Sequence, residues 1–213
     1  MSKFLAPIHF WLFNKIRIHE DLEKEIVSKF TDKYGDDILE IEKQNIEKYG
    51  KRIPEVSLEE IIDEGNIHGW LQEKISIAET RQAAILGDLF KSYGDEGFSL
   101  AKDIYTENAK RHGSHANKTV DISTADDVFR TINNYILDGM PCDNVNNIIK
   151  SEVDILEFEK VECLHIGYWD KVCVDSILMY ELREVWISAF VNSLSPNFKY
   201  QVDGSLHKIL KVK

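Results

Sequence analysis

The chain has few of the features from which a function is usually read. Cysteine is scarce: Cys142, Cys163 and Cys173 are the only three in 213 residues, and no two stand as CxxC. So sparse and odd a set argues against a disulfide framework and fits a reducing compartment. No run approaches the ~20 apolar residues that span a bilayer. The stretch from Phe4 to Phe13 has the apolarity of a signal core. Pro7 and His9 interrupt it, however, and charged helix follows where a cleavage site belongs, so the expected location is cytoplasmic. Positive charge is also short, with 26 Lys and Arg against 37 Asp and Glu, a net charge of −11. Basic clusters are no larger than Lys110–Arg111 or Lys208, Lys211 and Lys213, too little for a phosphate-backbone surface, so no nucleic-acid partner is expected. The aromatic opening helix runs into Glu20, Asp21, Glu23 and Glu25 rather than a cationic face, which argues against a membrane partner. There is no internal repeat, no GxGxxG, GxxxxGK[ST], HExxH or GxSxG, and no pair of Glu-x-x-His segments for a di-iron centre.

What is present is a globular composition, 43% hydrophobic and 30% charged, with two textures. Residues 1–115 read as helical. Leu5, Ile8, Leu12, Ile16, Leu22, Ile26 and Phe30 form one stripe at helical spacing, with Pro7 in the first turns and Gly35 as the stop. Asp36 caps a second helix ending before Gly50, and Ser57 with Glu60 makes a capping box for a short third one ending at Gly65. Asn66 caps a fourth, closed by Gly94, and a fifth runs from Ser99 to about His112. The polar "RHGSHANK" is the candidate boundary.

Residues 116–213 mix patterns. Ser123 with Asp126 opens a helix to Gly139, and Asp143 starts a short turn. "VDILEFEKVECLHI" alternates as a strand, with Leu156, Phe158, Leu164 and Ile166 on one face and Val161, Cys163 and His165 on the other. "VDSILMYELREVWISAFVNSL" is a long helix ended by Pro196, and Asp203–Gly204 turns a closing hairpin. The expected fold is α+β: an amino-terminal helical bundle packed on a small antiparallel sheet with a C-terminal β-hairpin, the two regions forming one compact unit.

Few side chains carry chemistry. Cys163 and His165, two apart on the expected strand, project from one face about 7 Å apart. A thiolate and an imidazole so placed ligate a metal or serve as nucleophile and base; they also fit a core, as a small hydrophobe and a hydrogen-bonded ring. His9 and His68 both fall on buried stripes, each with a tryptophan two positions on, Trp11 and Trp70. Two inward histidines on two helices can converge on a transition metal, a haem or a polar substrate group, or each can satisfy a backbone carbonyl in the core. Gln72, Glu79 and Gln82 extend the His68 face as the wall of a polar pocket. His112 and His115 sit near a helix end and read as solvated.

The last fifty residues add a resemblance. A strand ending in "VECLH", a helix, then "LSPNFKYQVDGSLHKILKV" is similar to the carboxy-terminal part of the L-2-amino-thiazoline-4-carboxylic acid hydrolase-like proteins and their 4-vinyl-reductase-type relatives. Those domains have a strand cysteine, a helix leading to an Asn-Pro-like turn, and a glycine-containing hairpin with a cysteine near its end. Here Ser195–Pro196 replaces Asn-Pro, and His207 stands where the hairpin cysteine would be. The resemblance covers about a quarter of the chain. It implies a role for Cys163 as nucleophile or ligand, with His207 replacing the second sulfur, in a ring-opening hydrolase or a small-molecule sensor.

Together these readings place a small-molecule or metal pocket between bundle and sheet. His9, His68, Cys163 and His165 are its metal set, and Trp11, Trp70 and Gln72 join His9 and His68 against a ligand. As a hydrolase of a carbon–nitrogen bond, the chain uses Cys163 as nucleophile and His165 or His207 as base. A structural or interaction module without an active site is the third reading. A small-molecule ligand is the expected partner, and a homodimer is carried beside it.

Overall fold

A computed structural model describes residues 5–212; Phe4 and Lys213, named above in the apolar run and the basic cluster, lie outside them. α1 (Pro7–Tyr34) begins on a proline, whose missing amide costs nothing in a first turn. The His9 Nδ1 atom accepts the Ala6 N–H at 3.0 Å and closes that turn. α2 (Asp37–Tyr49) follows across Gly35, as the sequence indicates. After Gly50 the chain is irregular, with one 3₁₀ turn at Leu58–Glu60 in place of the helix expected to reach Gly65. The Ser57 capping box is present there: Glu60 Oε1 accepts the Ser57 N–H at 3.1 Å and its hydroxyl at 2.8 Å.

α3 (Ile67–Asn117) starts at Asn66, whose side-chain oxygen accepts the Gly69 N–H. It is two helical arms joined at Gly94, where φ is 54°, a left-handed conformation glycine adopts without penalty. The sequence reading stopped the second arm near His112 and made "RHGSHANK" a loop; instead the helix runs on through Asn117. Gly113 is there for packing: a Cβ at this position would lie 2.5 Å from the carbonyl oxygen of Phe190 on the neighbouring helix.

α4 (Ala125–Asn133) is capped by Thr124 with Asp127, one residue later than the expected Ser123 and Asp126, and it stops before Gly139. A 3₁₀ turn at Pro141–Asp143 leads to β1 (Asn146–Glu152) and β2 (Ile155–Lys160). Then come α5 (Ile166–Lys171), α6 (Ser176–Leu194) and the closing hairpin β3 (Phe198–Asp203) and β4 (Leu206–Lys211). The sheet is antiparallel in the order β1-β2-β4-β3. The fold is therefore α+β, with a helical amino-terminal region on a small antiparallel sheet.

β1 and α5 are absent from the sequence reading. "NNIIKSE" is exposed along nearly its whole length, so it carries no alternation to read. β2 also ends sooner than expected. Its last pair with β1 is Asn146↔Lys160; one more bond follows, from the Val161 N–H to the Val145 carbonyl at 2.9 Å, and Val161 stands 63% exposed. Cys163 and His165 are consequently not on a strand. Cys163 lies in the connection, and His165 heads α5.

The main core runs from Leu22 and Phe30 of α1 through α3 and α6 to Leu156, Phe158 and Ile209 of the sheet, so both regions share it. A second cluster joins Leu12 and Ile16 of α1 to Leu71 and Ile75 of α3 and to Ile53 and Leu58. Between them lies a buried ionic clamp. The Arg81 guanidinium, 0% exposed, donates to Glu23, Glu20 and the Gly50 carbonyl, and Arg52 donates to the same Glu23. A buried ion pair is stable only when its charges are met by hydrogen bonds, and here α1, α3 and the chain after α2 supply most of them, leaving, among the described residues, only Arg52 Nη2 of the clamp buried without a partner.

Candidate functional site

Where the β2–α5 connection passes under α6, the structure leaves a cavity of about 560 Å³ walled by α6 and the closing hairpin. Cys163, Lys160, Tyr180, Arg183, Tyr200 and His207 line it, with Ile177, Ile187 and Val202 as apolar wall. This mixture, mostly apolar with a few convergent polar groups, suits a small molecule. The Cys163 sulfur accepts the Tyr180 hydroxyl at 2.7 Å, and burial together with that contact pushes the tyrosine up to about 12.

The floor is a charged cluster centred on Asp138. Its carboxylate accepts from Lys160 Nζ at 2.9 and 2.6 Å, from Arg183 Nη2 at 2.9 Å and from His165 Nε2 at 2.9 Å. Burial opposes ionisation, but these cations hold Asp138 well below the usual carboxylate range. His165 Nδ1 in turn donates to Glu79 Oε1 at 3.1 Å. Burial alone would raise Glu79; the His165 charge and hydrogen bond outweigh it and bring the carboxyl down to about 2. A carboxylate oxygen thus sits within hydrogen-bond distance of each ring nitrogen of His165. Both nitrogens are engaged by carboxylates rather than by the Cys163 sulfur, which argues against His165 as the base expected from the sequence. His207 pairs with the Tyr200 hydroxyl through Nδ1 at 2.5 Å and stacks on Phe158, and burial lowers it to about 4.

The structure brings Cys163, His165 and His207 to one cavity and sends the remaining expected residues elsewhere. His9 and His68 do meet, with Nε2 atoms 3.2 Å apart, but neither lines the cysteine cavity. The Ala6 amide occupies the His9 Nδ1 lone pair, so a neutral His9 carries its proton on Nε2 and donates it to His68. A protonated nitrogen is not a ligand, which corrects the expectation that His9, His68, Cys163 and His165 surround one metal or haem. Among the described residues, no group of three or more His, Cys, Asp and Glu is arranged to hold a metal ion. Trp11 donates to Asn134 at 2.9 Å, Trp70 packs near Phe13, and Gln72 donates to the Tyr168 hydroxyl at 3.1 Å, so these three also lie outside the cavity.

Glu79 and Gln82 do share a pocket, a small one of about 50 Å³ with a mainly apolar wall that also includes His19, Tyr105 and Asn108; His68 and Gln72 do not line it. Gln82 donates to the His19 carbonyl and accepts from Tyr105. No helix among the described residues is long and apolar enough to cross a membrane.

Sequence reasoning missed Asp138, Lys160, Tyr180 and Arg183. A signal existed for Arg183, a lone cation inside the apolar run "SILMYELREVWI" of α6, and for Lys160, three residues before the singled-out cysteine. The arrangement is that of an α+β protein with a cavity lined in part by Cys163. Comparison with family models, curated proteins and solved structures returned no match.

Proposed function

We propose that the protein binds a small, partly apolar molecule in the cavity between α6 and the closing hairpin, with Cys163 as its contact of highest chemical reactivity. The observation that carries this reading is the 560 Å³ cavity itself, where a thiol, an ammonium, a guanidinium and two phenols converge beside Ile177, Ile187 and Val202. Catalysis is the second reading, favoured by the placement of the Cys163 sulfur on the cavity wall. It makes Cys163 a nucleophile toward a carbon–nitrogen bond and leaves His207 as the candidate base. A histidine lowered to about 4 is a weak base at neutral pH, so binding is the better-supported activity.

The other two cysteines supply an internal control, since Cys142 and Cys173 are exposed. Alkylation by iodoacetamide is followed at all three while a library of small metabolites is added. A ligand of the cavity slows the reaction at Cys163 and leaves Cys142 and Cys173 unchanged. Val202→Trp, which fills the cavity from β3, abolishes that protection. If no compound protects Cys163, and Val202→Trp leaves its alkylation rate unaltered, the reading fails.

A further inference from the structure

A second cavity, of about 320 Å³, opens between α1 and the segment from Asn133 to Ile148, on the other side of Asp138. Lys15 lines it, on the same α1 face as Leu12 and Ile16. The side chain is only 3% exposed, and among the described residues it has no hydrogen bond and no carboxylate within ion-pair distance. Its neighbour is the Trp11 ring, whose centroid lies 4.1 Å from Nζ. The Trp11 indole is itself held by Asn134, so the aromatic face is fixed.

An ammonium withdrawn from water without a counter-ion is costly, and proteins keep one only where something compensates it. The Trp11 face offsets part of that cost. The one carboxylate in the lining, Asp138, is already committed to Lys160, Arg183 and His165. Lys160, by contrast, shows what a compensated half-buried lysine looks like in this fold, with both Asp138 oxygens within 2.9 Å. Lys15 has a cavity where Lys160 has a carboxylate.

We propose that the Lys15 cavity binds a small oxyanion, a carboxylate or a phosphate, with the Lys15 ammonium as its charge partner. A second observation supports a ligand there. Asn146, in the same lining, buries its side-chain oxygen without a hydrogen-bond partner. With the oxygen as the buried end, the amide N–H₂ is the accessible end of Asn146 and offers an anion two donors. Trp11, Met140, Pro141 and Ile148 provide the apolar surface for a short organic chain beside the charged end. Burial brings Lys15 down to about 8 against the pull of Asp138, while Arg183 and Lys160 push the same way as burial. The amine is thus still mainly protonated at neutral pH, and an anion beside it returns its pKa upward. This inference is independent of the Cys163 reading: either cavity can be empty of function while the other is not.

The test is residue-resolved acetylation of lysines by acetic anhydride, from neutral to alkaline pH, in the presence of glycolate, of inorganic phosphate, or of chloride as control. Saturable slowing at Lys15 alone is the expected result, about tenfold for each unit by which the anion raises its pKa. Protection by glycolate or by phosphate identifies the source of the oxyanion. Thermal unfolding gives a readout that does not depend on reagent access. The effective anion raises the wild-type Tm, and Lys15→Met removes the rise. Asn146→Asp places a carboxylate in the lining at a half-exposed position; it should slow Lys15 acetylation with no anion added and abolish the anion's effect. If neither anion protects Lys15 nor shifts the wild-type Tm, or if Asn146→Asp responds to anion as wild type does, the proposal is overturned.

Discussion

Asp138 is a small side chain with three cations on it, and its removal is the sharpest test of the charged cluster. Asp138→Asn leaves the half-buried Lys160 and Arg183 and the buried His165 without their shared counter-charge. Stripping one partner from a buried ionic network costs roughly 3–5 kcal/mol, and the urea midpoint should fall accordingly. Glu107→Gln, which breaks only the exposed pair with Lys110, should change stability by no more than about 0.5 kcal/mol. Equal effects from the two variants would refute the reading of Asp138 as the hub. Residues of this kind are also where the sequence was least legible. In the sequence Asp138 stands beside Gly139, where a helix is expected to end, a setting that looks like ordinary punctuation. Its importance comes from Lys160, Arg183 and His165, which lie 22, 45 and 27 positions away along the chain. His9 and His68 show the opposite case: their inward direction followed from helical spacing, and they do meet. What spacing could not supply was the Ala6 amide on Nδ1, which decides the tautomer.

The elements themselves were more legible, wherever one face is buried and the other is not. α1, α2, the start of α3, α6 and the closing hairpin all follow from stripe, cap or turn residues. β1 and the last turns of α3 do not. β1 is an almost wholly exposed edge, and the α3 end contains a glycine whose purpose is a contact with another helix. That contact carries a prediction. Gly113→Ala gains about 1 kcal/mol of intrinsic helix propensity. It also forces a methyl group against backbone atoms of Phe190 and Leu194, which cannot rotate away. Overpacking of this sort costs typically 1–3 kcal/mol, so the net effect should be destabilising, read as a lower Tm. Gly167→Ala in α5, where nothing lies within 4 Å, isolates the propensity gain and should stabilise by up to about 1 kcal/mol. If both variants raise the Tm, α3 and α6 are not as closely seated as described.

Across the whole molecule, the histidines set the response to acid. Burial lowers His19 and His207 to about 4, and it lowers His9 and His112 as well, His9 with help from His68. A histidine whose folded pKa lies below its unfolded value of about 6.5 is neutral in the fold and takes up a proton on unfolding. Its contribution is therefore present in full above pH 6.5 and is lost as pH falls through the folded value. For His19, a drop from 6.5 to about 4 corresponds to on the order of 3 kcal/mol. Glu79 and Asp138, both lowered, add losses of the same sign once pH falls below the ordinary carboxylate range. Urea unfolding across that interval should show stability declining steadily from neutral toward pH 4. A flat profile would mean that these rings reach water in the folded state.

The order β1-β2-β4-β3 has a consequence for how the chain is made. The strand synthesised last among the four, Leu206–Lys211, is an inner one, with β2 on one side and β3 on the other. A nascent polypeptide emerging from the ribosome can assemble its helices early. Until residue 211 has been added, β2 and β3 have no common neighbour, and the wall behind Cys163 cannot close.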